Sequence, residues 1–157
     1  MVVLERPSDL REWVGKEIGV SDWLTIDQAR IDDFARLSGD DHWLHVDVAR
    51  ARREMPDGKT IAHGFLTLSL IPYLVRSVYV ISHRGRGLNY GTNRVRFVSP
   101  VQVGDSVRLR QTIKAVERLE GEGREGATRV ISDCTIEIAG KPKPAVVAEF
   151  LMLVYDE

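Results

Sequence analysis

The 157-residue chain has little cysteine and almost no excess charge. Its one cysteine, Cys134, has no second cysteine with which to form an internal disulfide. Four scattered histidines without a cysteine cluster do not form a structural zinc motif. The 22 Lys and Arg residues stand against 23 Asp and Glu, which leaves a net charge of -1. The chain therefore has no general positive field for a nucleic-acid backbone, and we expect no nucleic-acid partner.

The sequence also lacks a long uninterrupted apolar run. The most apolar stretch, residues 65–80, contains Pro72 and Arg76 and is shorter than the roughly 20 apolar residues that a spanning helix needs. Near the N-terminus, Glu5 and Arg6 interrupt any apolar stretch of a secretory signal. We therefore expect a cytoplasmic protein without a membrane partner.

The residues that are present favour a compact globular chain. Hydrophobic residues make up 43% of the sequence and charged residues 29%, a balance typical of folded proteins and not of disordered ones. At about 150 residues per domain, residues 1–157 are expected to form one domain.

The first half of the sequence has helical periodicity. Thr25 followed three residues later by Gln28 predicts a capping box at the start of a helix that ends at Gly39. Asp47 predicts the N-cap of a second, short helix. The apolar run over residues 65–80 predicts a third helix that is surrounded by protein. Such a helix needs a sheet wrapped over it, and the proline within it predicts a kink or an early end.

After residue 87 the hydrophobic period changes to two, which indicates half-buried strands. The pattern predicts an antiparallel meander of four long strands, preceded by a short strand, and an α+β fold. These strands lie near residues 94–97, 107–115, 129–138 and 145–155, with the short one at 17–20. The connecting turns read PVQVGD, EGEGREG and GKPKP.

Asp40 and His45 are the first candidate pair for chemistry, because they share one polar loop that follows a glycine. A carboxylate and an imidazole together can hold a water molecule and move its proton. The structural alternative is that Asp40 caps a nearby helix and His45 is an exposed loop residue. His42 and His45 also form an H-x-x-H pair, but without a third ligand at a recognisable spacing we expect no metal site.

Gly64 and a basic turn are further candidates. As the start of a helix, Gly64 presents an unpaired amide that can stabilise an oxyanion, although it can equally be a helix start that avoids a clash. Arg84 and Arg86 lie in a Gly-rich stretch that can hold phosphates or simply be an exposed basic turn.

Three ordered blocks of the sequence resemble one known family. The blocks are SGDDHWLH (residues 38–45), IAHGFL (61–66) and VRF followed by PV and GD (95–105). They are similar to the MaoC-like (R)-specific enoyl-CoA hydratases, and within these to the branch related to nodulation protein N. The resemblance implies a hot-dog fold, in which a curved antiparallel sheet wraps a long central helix, and it implies a homodimer.

The resemblance also implies roles for residues. The family signature has Gly-Asp, any residue, Asn-Pro, an aliphatic residue and His; here His42 and Trp43 stand in place of Asn and Pro. The resemblance then makes Asp40 and His45 the acid/base pair that adds water to trans-2-enoyl-CoA, with the Gly64 amide polarising the thioester carbonyl. Arg84 and Arg86 are candidate contacts for the CoA phosphates.

Neither a metal nor a redox cofactor is expected for this reaction, since CoA is a carrier attached to the substrate. Two other functions remain open because fold does not fix function. One is an acyl-CoA thioesterase with the same architecture. The other is a non-catalytic acyl-CoA or protein-binding module.

Overall fold

A computed structural model describes residues 1–121 and 126–157 of the chain. The strands are β1 (Val2–Leu4), β2 (Glu17–Val20), β3 (Leu24–Thr25), β4 (Tyr79–Ile81), β5 (Arg84–Phe97), β6 (Ser106–Arg118), β7 (Ala127–Ile138) and β8 (Val146–Asp156). The α-helices are α1 (Gln28–Ser38), α2 (Trp43–Val46), α3 (Val48–Glu54), α4 (Gly64–Ser69) and α5 (Ile71–Leu74), with 3-10 helices at Pro7–Trp13 and Val75–Ser77. The turn predicted over EGEGREG lies mostly outside the described residues.

The main sheet is antiparallel and has the order β2-β6-β7-β8-β5, with β3 also paired to β6. The predicted four-strand meander is wrong at one point: β6, β7 and β8 follow one another, but β5 pairs with β8. Period-two patterning locates strands but not their long-range partners, so this order was not readable. The apolar run of β8 fits its place between two neighbours, as predicted. The short strand over 17–20 is confirmed as β2.

The sheet encloses the helical segment α4–α5, which confirms the α+β hot-dog arrangement. Leu66, Ile71 and Leu74 of this segment share one core cluster with Leu109 of β6 and Ile136 of β7. Burying these side chains between helix and sheet supplies the main driving force for the fold, at about 25 cal/mol per Å² of apolar surface.

The predicted long helix is broken, and one face of it is open. It divides after Leu70 into α4, α5 and the 3-10 turn at Val75–Ser77. Pro72 lies in the first turn of α5, where its missing N–H costs no hydrogen bond, so the proline starts a new helix instead of bending the old one. The prediction of burial on every side is wrong, since Phe65 is 67% and Tyr73 51% exposed.

The start of α1 also differs from the prediction. Asp27, not Thr25, caps the helix by accepting a hydrogen bond from the Arg30 amide at 2.9 Å. Gly39 ends the helix with φ +78°, a left-handed conformation that glycine adopts without strain, as predicted. Asp47 caps α3, also as predicted. Within residues 1–121 and 126–157, no helix combines the length and apolarity needed to cross a membrane.

Candidate active site

A cavity of about 410 Å³ lies beside the start of α4. Its lining is mostly apolar and comes from α2, the segment before α4, the end of β5 and the start of β8. The lining residues are His45, Ile61, Ala62, Gly64, Phe65, Thr67, Phe97, Val98, Ser99, Pro100, Val101, Ala145 and Val146. An apolar cavity with a few polar groups at one end is the usual form of a site for a small apolar ligand.

His45 lines this cavity and is buried, with 9% of its surface exposed. Its Nδ1 lies 2.7 Å from the carbonyl oxygen of Ile61, and because a carbonyl only accepts, Nδ1 carries the proton. Nε2 of the neutral ring therefore keeps a free lone pair. Burial lowers the pKa of His45 below its ordinary value of 6.5, an effect that the bond to Ile61 opposes and the nearby His63 reinforces. The ring is thus a neutral proton acceptor at pH 7.

Asp40 lies beside His45, as the sequence predicted. A carboxylate oxygen of Asp40 and a ring nitrogen of His45 lie within 4.8 Å of each other. Asp40 does not cap a helix, because His42 occupies the N-cap of α2. The structural alternative, a capping Asp40 and an exposed His45, is therefore wrong for both residues, because Asp40 caps none of the described helices and His45 is buried.

Gly64 is the first residue of α4, so its N–H has no acceptor within the helix. A Cβ placed on Gly64 would lie 2.8 Å from Cδ1 and Cγ of Phe97. That distance is well inside van der Waals contact, so the explanation that this glycine avoids a clash is confirmed, while its oxyanion role stays a prediction. The residue presents an unpaired amide at the cavity wall, and it also leaves room for the aromatic ring that packs on it.

His63 was not singled out from the sequence as a functional side chain, yet it contacts both members of the candidate pair. Its Nε2 lies 2.8 Å from the backbone carbonyl oxygen of Asp40. Its ring stacks on that of His45 with 3.7 Å between centroids and an interplanar angle of 23°. The signal that the sequence offers for His63 is its position immediately before Gly64, the predicted helix start.

Gln28 has a different role from the predicted capping box. Its Nε2 donates to the carbonyl oxygen of His45 at 2.8 Å and to the Asp32 carboxylate at 2.8 Å. Its Oε1 accepts a hydrogen bond from the buried Thr60 hydroxyl at 2.6 Å. The first residue of α1 therefore fixes the backbone of α2, which carries His45.

Asp40, His45 and His63 form a group from which one ligand atom each lies within 4.8 Å of the others. Two stacked imidazoles hold their lone pairs in nearly parallel planes, and an ion between such planes would lie out of the plane of both rings. Since imidazole binds metals along its in-plane lone pair, this stacking disfavours a shared ion. The predicted H-x-x-H pair is not this group, because His42 is outside it.

Arg84 and Arg86 lie in β5 and not in the predicted flexible turn. The Arg86 guanidinium lies over the Tyr155 ring, 4.0 Å from its centroid. Arg84 lines a separate cavity of about 470 Å³ that Tyr79 and Met152 also line. Neither arginine lines the cavity beside Gly64.

Cys134 is buried in β7, and burial raises the pKa of its thiol to about 12. The thiol therefore stays protonated at pH 7 and is a poor nucleophile.

Comparison with known proteins identifies relatives of the whole chain. A family profile described as MaoC like domain matches residues 9–134. The 3-hydroxyacyl-thioester dehydratase Z of Mycobacterium tuberculosis is 43% identical over 152 residues, which cover 97% of each chain. Nodulation protein N of Rhizobium leguminosarum bv. viciae is 39% identical over 150 residues, 94% of this chain and 89% of that one. Among solved structures, an unliganded R-hydratase from Pseudomonas aeruginosa superimposes with a TM-score of 0.66 at 25% identity, covering 92% of this chain and 83% of that one.

Proposed function

Since this chain belongs to the MaoC like domain family, we propose that it adds water to trans-2-enoyl-CoA and releases (R)-3-hydroxyacyl-CoA. The chain is an enzyme of the hydro-lyase class. Dehydratases and hydratases belong to this one class because they run the same reaction in opposite directions. The observation that supports the proposal best is the pair of proton acceptors, Asp40 and His45, of which His45 lines an apolar cavity.

Asp40 and His45 suit the binding of one water molecule. A water that donates both of its hydrogens, each over about 2.8 Å, bridges acceptors that are roughly 4.5 Å apart. The 4.8 Å limit on the separation of the two side chains fits that span. Because both groups accept hydrogen bonds, the lone pairs of the water are left for the substrate.

In the proposed step, Asp40 accepts a proton from the water while His45 orients it. The oxygen forms a bond to the β-carbon, and the electron pair of the double bond moves through the α-carbon to the thioester oxygen. A proton then returns to the α-carbon on the same face, so that one water is added and no other reactant is consumed. Asp40, which holds the proton taken from the water, can deliver it directly, or His45 can deliver it after accepting it from Asp40.

The Gly64 amide is proposed to stabilise the charge that develops on the thioester oxygen. Its N–H is unpaired within α4 and lies in the cavity wall. An N–H fixed before the reaction begins needs no reorganisation as the charge appears, which is the source of its catalytic effect.

Residues 1–157 are proposed to form one MaoC-like domain. The family match ends at residue 134, yet β8 lies beyond it and is inserted between β7 and β5. Without β8 the sheet would lose the strand that joins two others. A cytoplasmic location stays a prediction.

We propose that the protein is a homodimer that pairs through β5. One edge of β5 pairs with β8, and no described strand pairs with the other edge. Leu88 and Tyr90 on this strand are 48% and 55% exposed. A long free edge with exposed apolar residues is prone to aggregation unless another chain covers it. Light scattering should give twice the 17.7 kDa mass of one chain, and a mass of 17.7 kDa would contradict the proposal.

Arg84 and Arg86 are proposed to contact the CoA phosphates, which lie at the far end of the pantetheine arm from the thioester. Changing each arginine to glutamine should raise KM and leave kcat unchanged. The matched control is an enoyl-pantetheine thioester, which lacks the nucleotide. Its KM should not respond to these variants, and an unchanged KM for enoyl-CoA would leave the arginines as surface residues.

The test of the function is incubation of the pure protein with trans-2-enoyl-CoA while enoyl absorbance and free thiol are followed in parallel. Loss of absorbance without thiol release, with (R)-3-hydroxyacyl-CoA as the product, is the expected result. Thiol release would indicate a thioesterase. No change in either signal would indicate a binding module.

A further inference from the structure

We propose that His63 is a positioning residue that holds the Asp40 backbone and the His45 ring in their working arrangement. The inference deepens the proposed hydration and rests on it. His63 has 3% of its surface exposed, so it belongs to the interior and not to the substrate cavity wall. Two contacts connect this buried ring to the two groups that act on water.

The first contact fixes the loop that carries Asp40. The carbonyl oxygen of Asp40 can only accept, so His63 Nε2 carries a proton and donates it over 2.8 Å. Asp40 follows the left-handed Gly39 and is itself exposed, so its loop has little packing of its own. On the N-terminal side, the Asp40 amide donates to Ser38 Oγ at 3.3 Å, a longer bond. The bond from His63 is therefore the stronger anchor of the Asp40 backbone.

The second contact restrains the His45 ring. Rotation of His45 about its Cβ–Cγ bond would move its ring nitrogens relative to Asp40, and the stacked ring of His63 hinders that rotation. Phe34 supports His63, with ring centroids 5.0 Å apart. The bond from His45 Nδ1 to Ile61 adds a second restraint, so the ring is held on its edge and on its face.

His63 has one unsatisfied atom that the fold tolerates. With the proton on Nε2, the buried Nδ1 keeps a lone pair, and it has no hydrogen-bond partner among the described residues. A buried acceptor without a partner reduces the free energy of unfolding. An apolar residue at this position would avoid that cost, which argues that the histidine serves the two contacts and not stability.

Two variants separate the contacts. His63→Phe keeps a ring that can stack on His45 and removes the donor to Asp40. His63→Gln keeps an N–H donor near the position of Nε2 and removes the stacking. Each should lower kcat by roughly 10- to 100-fold, the effect of a small misplacement of a reacting group, with KM within about threefold. A residue with a merely structural role would change Tm and the active fraction, not kcat per folded molecule.

Thr128→Val is the matched control, because Thr128 is also buried with an unpartnered polar atom but lies in β7, away from the site. It should leave kcat unchanged. Folded His63→Phe and His63→Gln proteins with kcat within twofold of the wild type would overturn the proposal.

Nitrogen-15 NMR of the wild-type imidazoles gives a second test that needs neither activity nor a stable variant. The proposal requires His63 to be the Nε2–H tautomer with a proton that exchanges slowly, and His45 to be the Nδ1–H tautomer. A His63 ring with its proton on Nδ1 would overturn it. If hydration itself is not observed, the proposed function fails while this measurement still decides the position of His63.

Discussion

The outer face of the sheet, which carries Arg108, Arg110 and Glu137, and the loop that carries Asp40 both present polar side chains. The hydrogen-bond partners of these side chains differ between the two regions. On the outer face, Arg110 donates to Glu137 at 2.8 Å and to Glu17 at 2.6 Å. At the site, His45 and His63 bond to backbone carbonyls. The ion pairs hold their charges: the bond from Arg110 lowers the pKa of Glu137, and the pKa of Arg110 is raised. The imidazole of His45 is oriented but uncharged, and it can still accept a proton.

The difference teaches which polar residues to test for chemistry. A group that is already paired with an opposite charge is a poor proton acceptor, because protonation breaks the pair. A group whose donor side is held by a carbonyl keeps its acceptor side for a ligand. Removing the acceptors should therefore lower turnover strongly and spare the fold, while removing an outer ion pair should leave turnover unchanged and weaken the fold slightly.

The largest expected effect follows from changing the acceptors themselves. Asp40→Asn and His45→Gln should each lower kcat by roughly 100-fold to 10,000-fold, the usual range for general acid/base groups. If both act on one water, as proposed, the double variant should lose much less than the product of the two single losses. Steady-state hydration rates, with thermal melts to show that each variant is folded, provide the check.

His42→Ala is the matched control for these variants, because His42 is exposed and lies outside the group of Asp40, His45 and His63. This variant should lower kcat far less than Asp40→Asn or His45→Gln. Near wild-type hydration by a folded Asp40→Asn or His45→Gln protein would remove that residue from the mechanism. Loss of activity in His42→Ala together with loss of a bound metal would revive the metal-site hypothesis.

A second effect concerns the amide of Gly64. In Gly64→Ala the new Cβ would meet the Phe97 ring at 2.8 Å, so the ring or the start of α4 has to move. We expect kcat to fall by roughly 10- to 100-fold, the cost of misplacing a stabilising group by about 1 Å. Adding Phe97→Leu, which makes room for the methyl group, should restore part of the loss. If the double variant is no better than Gly64→Ala, the clash is not the cause.

A third prediction concerns how the free energy of unfolding depends on pH through His45 at the site and Glu137 on the outer face of the sheet. Folding lowers the pKa of His45 below its ordinary value of 6.5. At a pH between the pKa in the folded chain and 6.5, the unfolded chain therefore binds more protons than the folded one. The free energy of unfolding should therefore decrease as the pH falls through this window. Glu137, with its pKa lowered from 4.5, should add a second decrease at more acidic pH.

Thermal melts from pH 8 to pH 3 measure both windows. His45→Gln should remove the decrease nearer neutrality and leave the acidic one. His83→Gln is the control, since His83 is an exposed histidine near Glu157. An unchanged pH profile in His45→Gln would contradict the assignment of the upper window.

The smallest effect is expected on the outer face. Glu137→Gln weakens the pairs with Arg108 and Arg110, which are partly exposed, and should reduce the free energy of unfolding by about 0.5–1 kcal/mol. High salt should shrink the difference, because it screens exposed charges. Denaturant titrations at two salt concentrations measure this, and hydration rates should not change. A large fall in activity would mean that the two regions are coupled.

Most local signals in the sequence were reliable, whereas contacts between distant parts of the chain could not be predicted. The Gly39 N–H donates to the carbonyl oxygen of Ala35, and Asp47 accepts from the Arg50 amide, so a stop and a cap were readable from a few residues. Thr25 was misread because two nearby residues, Thr25 and Asp27, can both cap, and Thr25 instead bonds to Ser106 in β6 at 3.0 Å. That contact spans 81 residues, and spacing along the chain does not reveal it.

In the candidate site, too, the residues close together in the sequence could be predicted and the distant ones could not. Asp40 and His45 are five residues apart, and one loop brings them together. His63 and Gln28 reach the same place from other parts of the chain, 18 and 17 residues from His45, and each does so through a backbone carbonyl, a partner that leaves no mark in the sequence. The resemblance to a family supplied the site without supplying the residues that position it.

Phe97 has a consequence for assembly. It ends β5, the strand with the free edge, and its ring rests on Gly64 at the start of α4. A second copy that pairs with this edge therefore acts on the same strand that sets the surroundings of the Gly64 amide. Association and substrate binding are then thermodynamically linked: whatever factor dimerisation adds to substrate affinity, saturating substrate must add to the association constant of the dimer.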